Sequence, residues 1–267
     1  MPGAPSGSNK AKIARRVIEV LEYFDDAHTE ATVMDIVRRY NRPQSSTSEL
    51  LSSLVELGLL HKDPYTRSYR LTPRAALLGT SGQAEMVRDG RLMRLMDRLS
   101  AQTGLSISLI GMVGLDSQVI VWRHGARAPA CTRDLFGGCK EPLARNSAGQ
   151  LMLSTVSPSK CDGMLRRLNA EADAAHRFPA AEMATRIAAA REQSYMFGPT
   201  GFGSDAESLC VLVPRQPEGH PLVISLVYGR DEKVNTDSLL QSVGEAMRAC
   251  LTDPQSSNIE ELQKSAA

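Results

Sequence analysis

The chain lacks any apolar run approaching the roughly 18 residues that a membrane span requires. Residues 1–9 carry Gly, Pro and Ser where a secretion signal would carry an apolar core. Both absences make the cytoplasm the expected compartment. Paired cysteines at ligand spacing are also missing. Cys131, Cys139, Cys161, Cys210 and Cys250 are odd in number and contain no CxxC, which argues against a disulfide framework or a zinc cluster and leaves reduced thiols. His61, His124, His176 and His220 show neither HxH nor HxxxH spacing, so a metal site has no support. No nucleophile stands beside a base in a recognisable frame. The Gly198–Ser204 stretch lacks the Gly-Lys-Ser/Thr ending of a phosphate loop and leads into a strand, so it reads as a Gly-rich loop and a candidate lid. The expectation is a protein without cofactor or catalytic activity.

What is present is enough chain for two domains, since 267 residues exceed the roughly 100–200 of a usual domain. With 42% apolar and 23% charged residues, the composition supports a full core. The net charge of +1 conceals a weak asymmetry: residues 10–74 hold eleven cations against nine anions. Placement matters more than the sum. The cations gather at helix ends and in a predicted hairpin, and many anions fall between the first two helices.

Three amphipathic helices are predicted in this region. Ile13, Val17, Leu21 and Phe24 recur at helical spacing, as do Val33, Ile36, Val37 and Tyr40, and then Leu50, Leu51, Leu54 and Leu57. Thr32 with Asp35 forms a capping-box pattern for the second helix. For the third, Asn41 with Gln44 or Ser46 with Glu49 offers a start, Pro43 fits the first turn, and Gly58 suits the stop. Leu59 to Leu71 then reads as a basic two-stranded wing. Gln44, Ser45, Ser46, Thr47 and Ser48 cluster at the start of the third helix, where a recognition helix meets base edges and phosphates. Any one of these hydroxyls would serve equally as a helix cap. Arg15, Arg39, Arg42, Lys62 and Arg67 complete the candidate DNA-binding set, with Arg70 beside them in the hairpin.

Residues 10–80 resemble the winged helix-turn-helix of IclR-type bacterial transcriptional regulators. The resemblance rests on Ala14-Arg15-Arg16-Val17-Ile18-Glu19-Val20-Leu21, Pro43-Gln44-Ser45-Ser46-Thr47, Glu56-Leu57-Gly58-Leu59-Leu60, Tyr69-Arg70-Leu71-Thr72-Pro73-Arg74 and Leu77-Leu78-Gly79. One position departs from that pattern: Glu49 stands where the family commonly has a basic residue. Either Glu49 faces away from DNA or the docking is shifted.

The resemblance extends more weakly to about residue 252. Leu92–Leu99 resembles the family's linker helix, and Pro142–Leu153 its pocket loop and helix. Residues 194–214 match its acidic and Ala-Ala-Pro-Val pattern poorly, so the identity of a ligand does not transfer. It implies a GAF-like six-stranded sheet open to a small molecule. From the residues alone, strands are expected at 105–113, 118–124, 130–134, 195–199, 207–214 and 221–229, and helices at 84–101, 147–156, 159–169, 180–193 and 236–251. That is α+β: an antiparallel sheet flanked by helices. The expected layout is a disordered stretch at 1–9, the DNA-binding domain at 10–80, a linker helix at 81–101, an effector domain at 102–254 and a tail at 255–267.

Asn146 and Ser147 open the helix after Pro142, either as plain caps or as a site for a carboxylate-bearing effector. Trp122, Cys131 and Phe136 are further candidates, the last two in a loop over the pocket, and the resemblance adds Ser108 and Cys210. Burial in the core is the competing reading for Trp122 and for a free cysteine. The expected function is a DNA-binding transcriptional regulator controlled by a small organic effector. Its partners are a double-stranded operator and a second copy, as a homodimer or a dimer of dimers, because one helix-turn-helix reads only a half-site. Leu92, Leu95, Met96 and Leu99 form the face expected to couple dimerisation to effector state. A thiol-redox-responsive regulator, or a ligand-independent oligomeric one, is the alternative.

Overall fold

The structure is a computed structural model and describes residues 9–25, 28–78, 85–214 and 220–251. The expected disordered stretch 1–9 lies outside these residues except for Asn9, which opens the first helix, and the tail 255–267 lies outside them entirely. Two compact units divide at residues 83 and 84.

The first unit runs α1 (Asn9–Tyr23), α2 (Val33–Tyr40), α3 (Gln44–Glu56), β1 (Leu60–Lys62), β2 (Tyr69–Leu71) and α4 (Pro73–Leu77). The Thr32–Asp35 capping box forms in full: the Thr32 hydroxyl accepts from the Asp35 amide, and the Asp35 carboxylate accepts from the Thr32 amide at 2.8 Å. The Thr32 hydroxyl also donates to the Asp35 carboxylate at 2.7 Å, and this bond, with that from the Thr32 amide, holds the Asp35 carboxyl below the usual aspartate range. Asn41 does not start α3. It closes α2 in the left-handed region (φ 49°, ψ 53°), which Asn tolerates better than most residues, and Pro43 takes the N-cap place without a side-chain bond. Gly58 (φ 70°) follows the end of α3.

Val20, Ala31, Ile36, Leu51, Leu54, Leu60 and Tyr69 form this unit's core. Two residues of the expected apolar faces are exposed, Ile13 by 53% and Leu57 by 60%. Thr47 is buried instead, one turn before Leu51, and Val20 takes the inward place on α1. The wing is a two-stranded ladder with Leu60 opposite Leu71 and Lys62 opposite Tyr69, extended by an antiparallel bridge from Ala31 to Tyr69.

The second unit is built on a six-stranded antiparallel sheet, β3 (Ser106–Val113), β4 (Asp116–Arg123), β5 (Lys140–Pro142), β6 (Tyr195–Pro199), β7 (Ala206–Leu212) and β8 (Leu222–Gly229), in the order β5-β4-β3-β8-β7-β6. With α5 (Glu85–Arg88), α6 (Arg91–Thr103), α7 (Ser147–Ser154), α8 (Pro158–Glu171), α9 (Ala180–Gln193) and α10 (Thr236–Leu251), it gives the α+β arrangement that the apolar pattern implied. Helices α6 and α10 cover one face, sharing a core with Ile107, Leu109, Ile224 and Leu226. Helices α7, α8 and α9 cover the other, around Ile110, Val119, Cys210 and Val223.

Three expectations change here. Residues 130–134 are not a strand: Ala130–Thr132 is a 3-10 turn, with the Thr132 hydroxyl donating to the Pro129 carbonyl, and the edge strand is Lys140–Pro142. The expected helix 84–101 is broken at Asp89 and Gly90, where Gly90 adopts φ 74°. Residues 81–84 of the expected linker lie outside the described residues. The face of Leu92, Leu95, Met96 and Leu99 is fully buried against α10 and the sheet of its own unit, so it is not free to pair with a second copy. Each such leucine contributes about 1.5–3 kcal/mol to that packing.

A bulge in β4 sets the site's register. Leu109 pairs with Val121 but Ile110 pairs with Val119, leaving Ile120 as the extra residue, 47% exposed. The bulge puts Trp122 and Val119 on one face despite their odd separation.

Candidate DNA-binding and effector-binding sites

In the first unit the inward face of α3 is Thr47, Leu51 and Leu54. Its outward face carries Gln44, Ser45, Glu49, Ser52, Ser53 and Glu56, with Ser46 and Ser48 at the margin. Thr47 therefore leaves the candidate set: it is 1% exposed and its hydroxyl donates to the Pro43 carbonyl at 2.9 Å. Ser46 accepts from Arg16 Nη2 at 3.1 Å and also donates to Pro43 O. Arg42 is a second correction. Its Nη2 meets both oxygens of Glu19, at 2.9 and 3.1 Å, which ties α1 to the entry of α3 and takes this cation away from phosphate.

Arg15, Arg39, Lys62 and Arg67 remain exposed, as does Arg38 beside Arg39. Arg39 lies 6.0 Å from the Tyr40 ring centroid and Lys62 5.5 Å from that of Tyr69, contacts that keep their charge available. Arg67 holds φ 57° at the tip of the wing. The tip is shaped by Asp63, whose carboxylate accepts from the Tyr65 and Thr66 amides at 2.8 and 2.9 Å and is held below its usual range by them. Arg70 differs from Arg67: it pairs with Glu30, which also accepts from the Ser68 hydroxyl, so one acid of the α1–α2 connection folds back on the wing. Sequence reasoning missed Tyr65, 94% exposed at the tip, and Ser52, because a residue's outward orientation there depends on the tertiary packing.

In the second unit, strand register sets one transverse row across the sheet. Trp122 pairs with Ser108, Ser108 with Ser225, Ser225 with Cys210, and Cys210 with Met196. All lie on the face that α7 covers. Ser108 and Ser225 are 0% and 1% exposed, and neither hydroxyl makes a hydrogen bond to the protein. The Ser225 hydroxyl lies near the Cys210 thiol without reaching hydrogen-bond geometry, whereas Ser208 meets that sulfur at 3.5 Å. Burial pushes the Cys210 thiol up to about 11, so it stays protonated at neutral pH. Trp122 Nε1 donates to His124 Nδ1 at 3.2 Å.

The start of α7 faces the same side. Asn146 is fully committed to the scaffold: its Oδ1 accepts from the Gly149 amide at 2.6 Å, and its Nδ2 donates to Ser117 Oγ and Glu141 Oε1. Ser147 is 0% exposed and its hydroxyl is unpartnered, as is that of buried Thr200 just after β6. Ser147 stands against Gly198, where an added Cβ would meet Ser147 Oγ at 2.6 Å and Arg186 Nη2 at 3.6 Å. Gly201 (φ 77°) lies still closer to Glu141 and Asn146, so the Gly-rich segment packs onto the start of α7 and has no room for side chains at these two positions.

An IclR helix-turn-helix domain model matches residues 14–64. Residues 14–64 are thus an IclR-type helix-turn-helix domain. Solved structures share the fold over most of the chain. One is an IclR homolog from Microbacterium hydrocarbonoxydans complexed with 4-hydroxybenzoate, 19% identical, covering 88% of this chain and 95% of that one at a TM-score of 0.54. An IclR transcriptional regulator from Alicyclobacillus acidocaldarius is 18% identical, covering 91% and 98% at 0.55. The effector domain of IclR from Acinetobacter sp. ADP1 is 22% identical, covering 62% and 96%, also at 0.55. No curated protein matches the chain.

Within the second unit, the sequence-derived effector candidates divide. Ser108, Trp122 and Cys210 share the row, and Ser147 stands at the start of the facing helix. Asn146 is a cap. Cys131 and Phe136 point to solvent from the loop between β4 and β5, with Phe136 60% exposed, and are not brought to the row. Ser225, Thr200 and Arg186 were not singled out. Ser225 had a legible signal, a lone hydroxyl within the apolar run Leu222–Tyr228, whereas Arg186 gave none. Among the described residues, no helix is long and apolar enough to cross a membrane.

Proposed function

We propose that the chain is an IclR-family regulator that binds its operator as a dimer, with affinity set by a small organic effector bearing a carboxylate. The observation that carries this reading is the set of buried, unpartnered hydroxyls of Ser108, Ser225, Ser147 and Thr200 on the α7 side of the sheet. An unsatisfied buried hydroxyl costs about 1–3 kcal/mol, and a ligand that accepts from or donates to these groups removes that cost. The amino end of α7, the Ser147 hydroxyl and the Arg186 guanidinium beside Gly198 suit the negative end of such a ligand. The apolar remainder would pack on Ile110, Met196 and Trp122. The 4-hydroxybenzoate bound by the Microbacterium homolog makes aromatic carboxylates the first class to try.

A protonated Cys210 does not favour the thiol-redox alternative. Arg15, Arg38, Arg39, Lys62 and Arg67 would meet phosphates, while the exposed face of α3 enters the major groove. A thermal-shift screen of small organic acids on the full chain tests the effector. At 100 times its dissociation constant a true ligand stabilises the fold by about 2.7 kcal/mol, and it should also change operator affinity. Failure of every acid to shift the transition, with operator binding intact, would replace this reading with a ligand-independent regulator.

A further inference from the structure

The outward face of α3 has no cation. From Gln44 to Glu56 the only formal charges are Glu49 and Glu56, and the arginines that touch the helix or its entry, Arg16 and Arg42, are engaged by Ser46 and Glu19. Glu49 does not turn away. It is exposed at the centre of the outward face, one turn after Ser45 and one before Ser52, opposite the buried Thr47, Leu51 and Leu54. Only its backbone carbonyl is used within the fold, by the Ser53 hydroxyl; the carboxylate has no partner among the described residues.

A carboxylate carried into the major groove is repelled by phosphates and by the base acceptors N7, O6 and O4. Two donors can hold it, cytosine N4 and adenine N6. Adenine N6 is flanked by acceptors on both sides, its own N7 and the O4 of the paired thymine. Cytosine N4 has an acceptor on one side only, the guanine O6. We infer that Glu49 is a specificity-determining residue that reads a cytosine in each operator half-site, with Gln44, Ser45 and Ser52 reading beside it. The inference rests on α3 being the recognition helix. Affinity must then come from the exposed cations outside α3, and selectivity from a contact that punishes every base but cytosine at one position.

Selection of binding sites from a random duplex library, with the full chain and its Glu49→Gln and Glu49→Arg variants at one fixed salt concentration, tests it. Glu49 is exposed, so both variants should fold, which circular dichroism checks. The wild type should recover a site with cytosine at one position per half. Glu49→Gln should reduce that preference by about five-fold or more, and Glu49→Arg should move it to guanine. If Glu49→Gln recovers the same site with unchanged relative affinities, or binds every sequence more tightly by one common factor, Glu49 only repels and the proposal falls. If no variant enriches any site, the reading of α3 as the recognition helix fails, and the proposal with it.

Discussion

Replacing Ser108 with alanine should make the unliganded protein more stable and its ligand response weaker. Ser108 is fully buried on β3, between Trp122 and Ser225 in the ladder, and its hydroxyl has no protein partner. An unpaired buried hydroxyl costs about 1–3 kcal/mol, and alanine keeps the Cβ and leaves almost no cavity. Neither residue is favoured in strands, so backbone preference changes little. The expected gain is about 1 kcal/mol, at the low end of that range, which for a unit of this size raises the midpoint by roughly 2–4 °C. Ligand binding should lose about 0.5–1.5 kcal/mol, the net worth of one neutral hydrogen bond. Thermal denaturation with and without the organic acid that shifts the wild type most would reveal both effects. A Ser108→Ala protein that is less stable than wild type, with the full ligand shift retained, would refute the reasoning by showing the hydroxyl to be structural.

Arg67→Ala should weaken binding to all DNA sequences and lower the salt slope by about one. Arg42→Ala should leave that slope unchanged and instead destabilise the first unit by about 1 kcal/mol or less, with the loss absent once Glu19 is also replaced, as a double-mutant cycle would record. The carboxyls of Glu30, Asp35 and Asp63 are held low, chiefly by Ser68, Thr32 and Thr66 respectively. Their support is complete above the unfolded range near about 4 and disappears as pH falls through the lowered folded values. Acid titration followed by helical circular dichroism should therefore show Asp35→Asn with a flatter loss than wild type. Alkylation at pH 8 should label exposed Cys131 and spare Cys161 and Cys210 until the protein unfolds, which peptide mapping would test. If oxidants alter operator binding in wild type but not in Cys131→Ser, the redox alternative returns.

Much of the architecture was legible because it depends on near neighbours in sequence. The apolar period predicted 180–193 and 236–251, the same bounds as α9 and α10, and the Thr32–Asp35 box marked the start of α2. The edge strand Lys140–Pro142 was invisible, since three residues, two of them charged, carry no apolar alternation and owe their form to the partner Asp116–Gln118. Gly90 was likewise hidden inside an otherwise helical pattern.

The sites were harder to read because orientation and partnership are not local. Sequence alone determined that residues 10–80 hold a winged helix-turn-helix, that an α+β unit follows, and that Ser108, Ser147 and Cys210 are candidate site residues. Only the tertiary structure turned Thr47 inward, gave Arg42 to Glu19 and Arg70 to Glu30, set Asn146 to capping, and left Glu49 in the open. Periodicity is a property of consecutive residues and survives in the string. Which hydroxyl stays unpaired, or which cation stays free, depends on what a distant segment brings beside it. Ser108 and Ser225, 117 positions apart, become one row only when β3 and β8 pair.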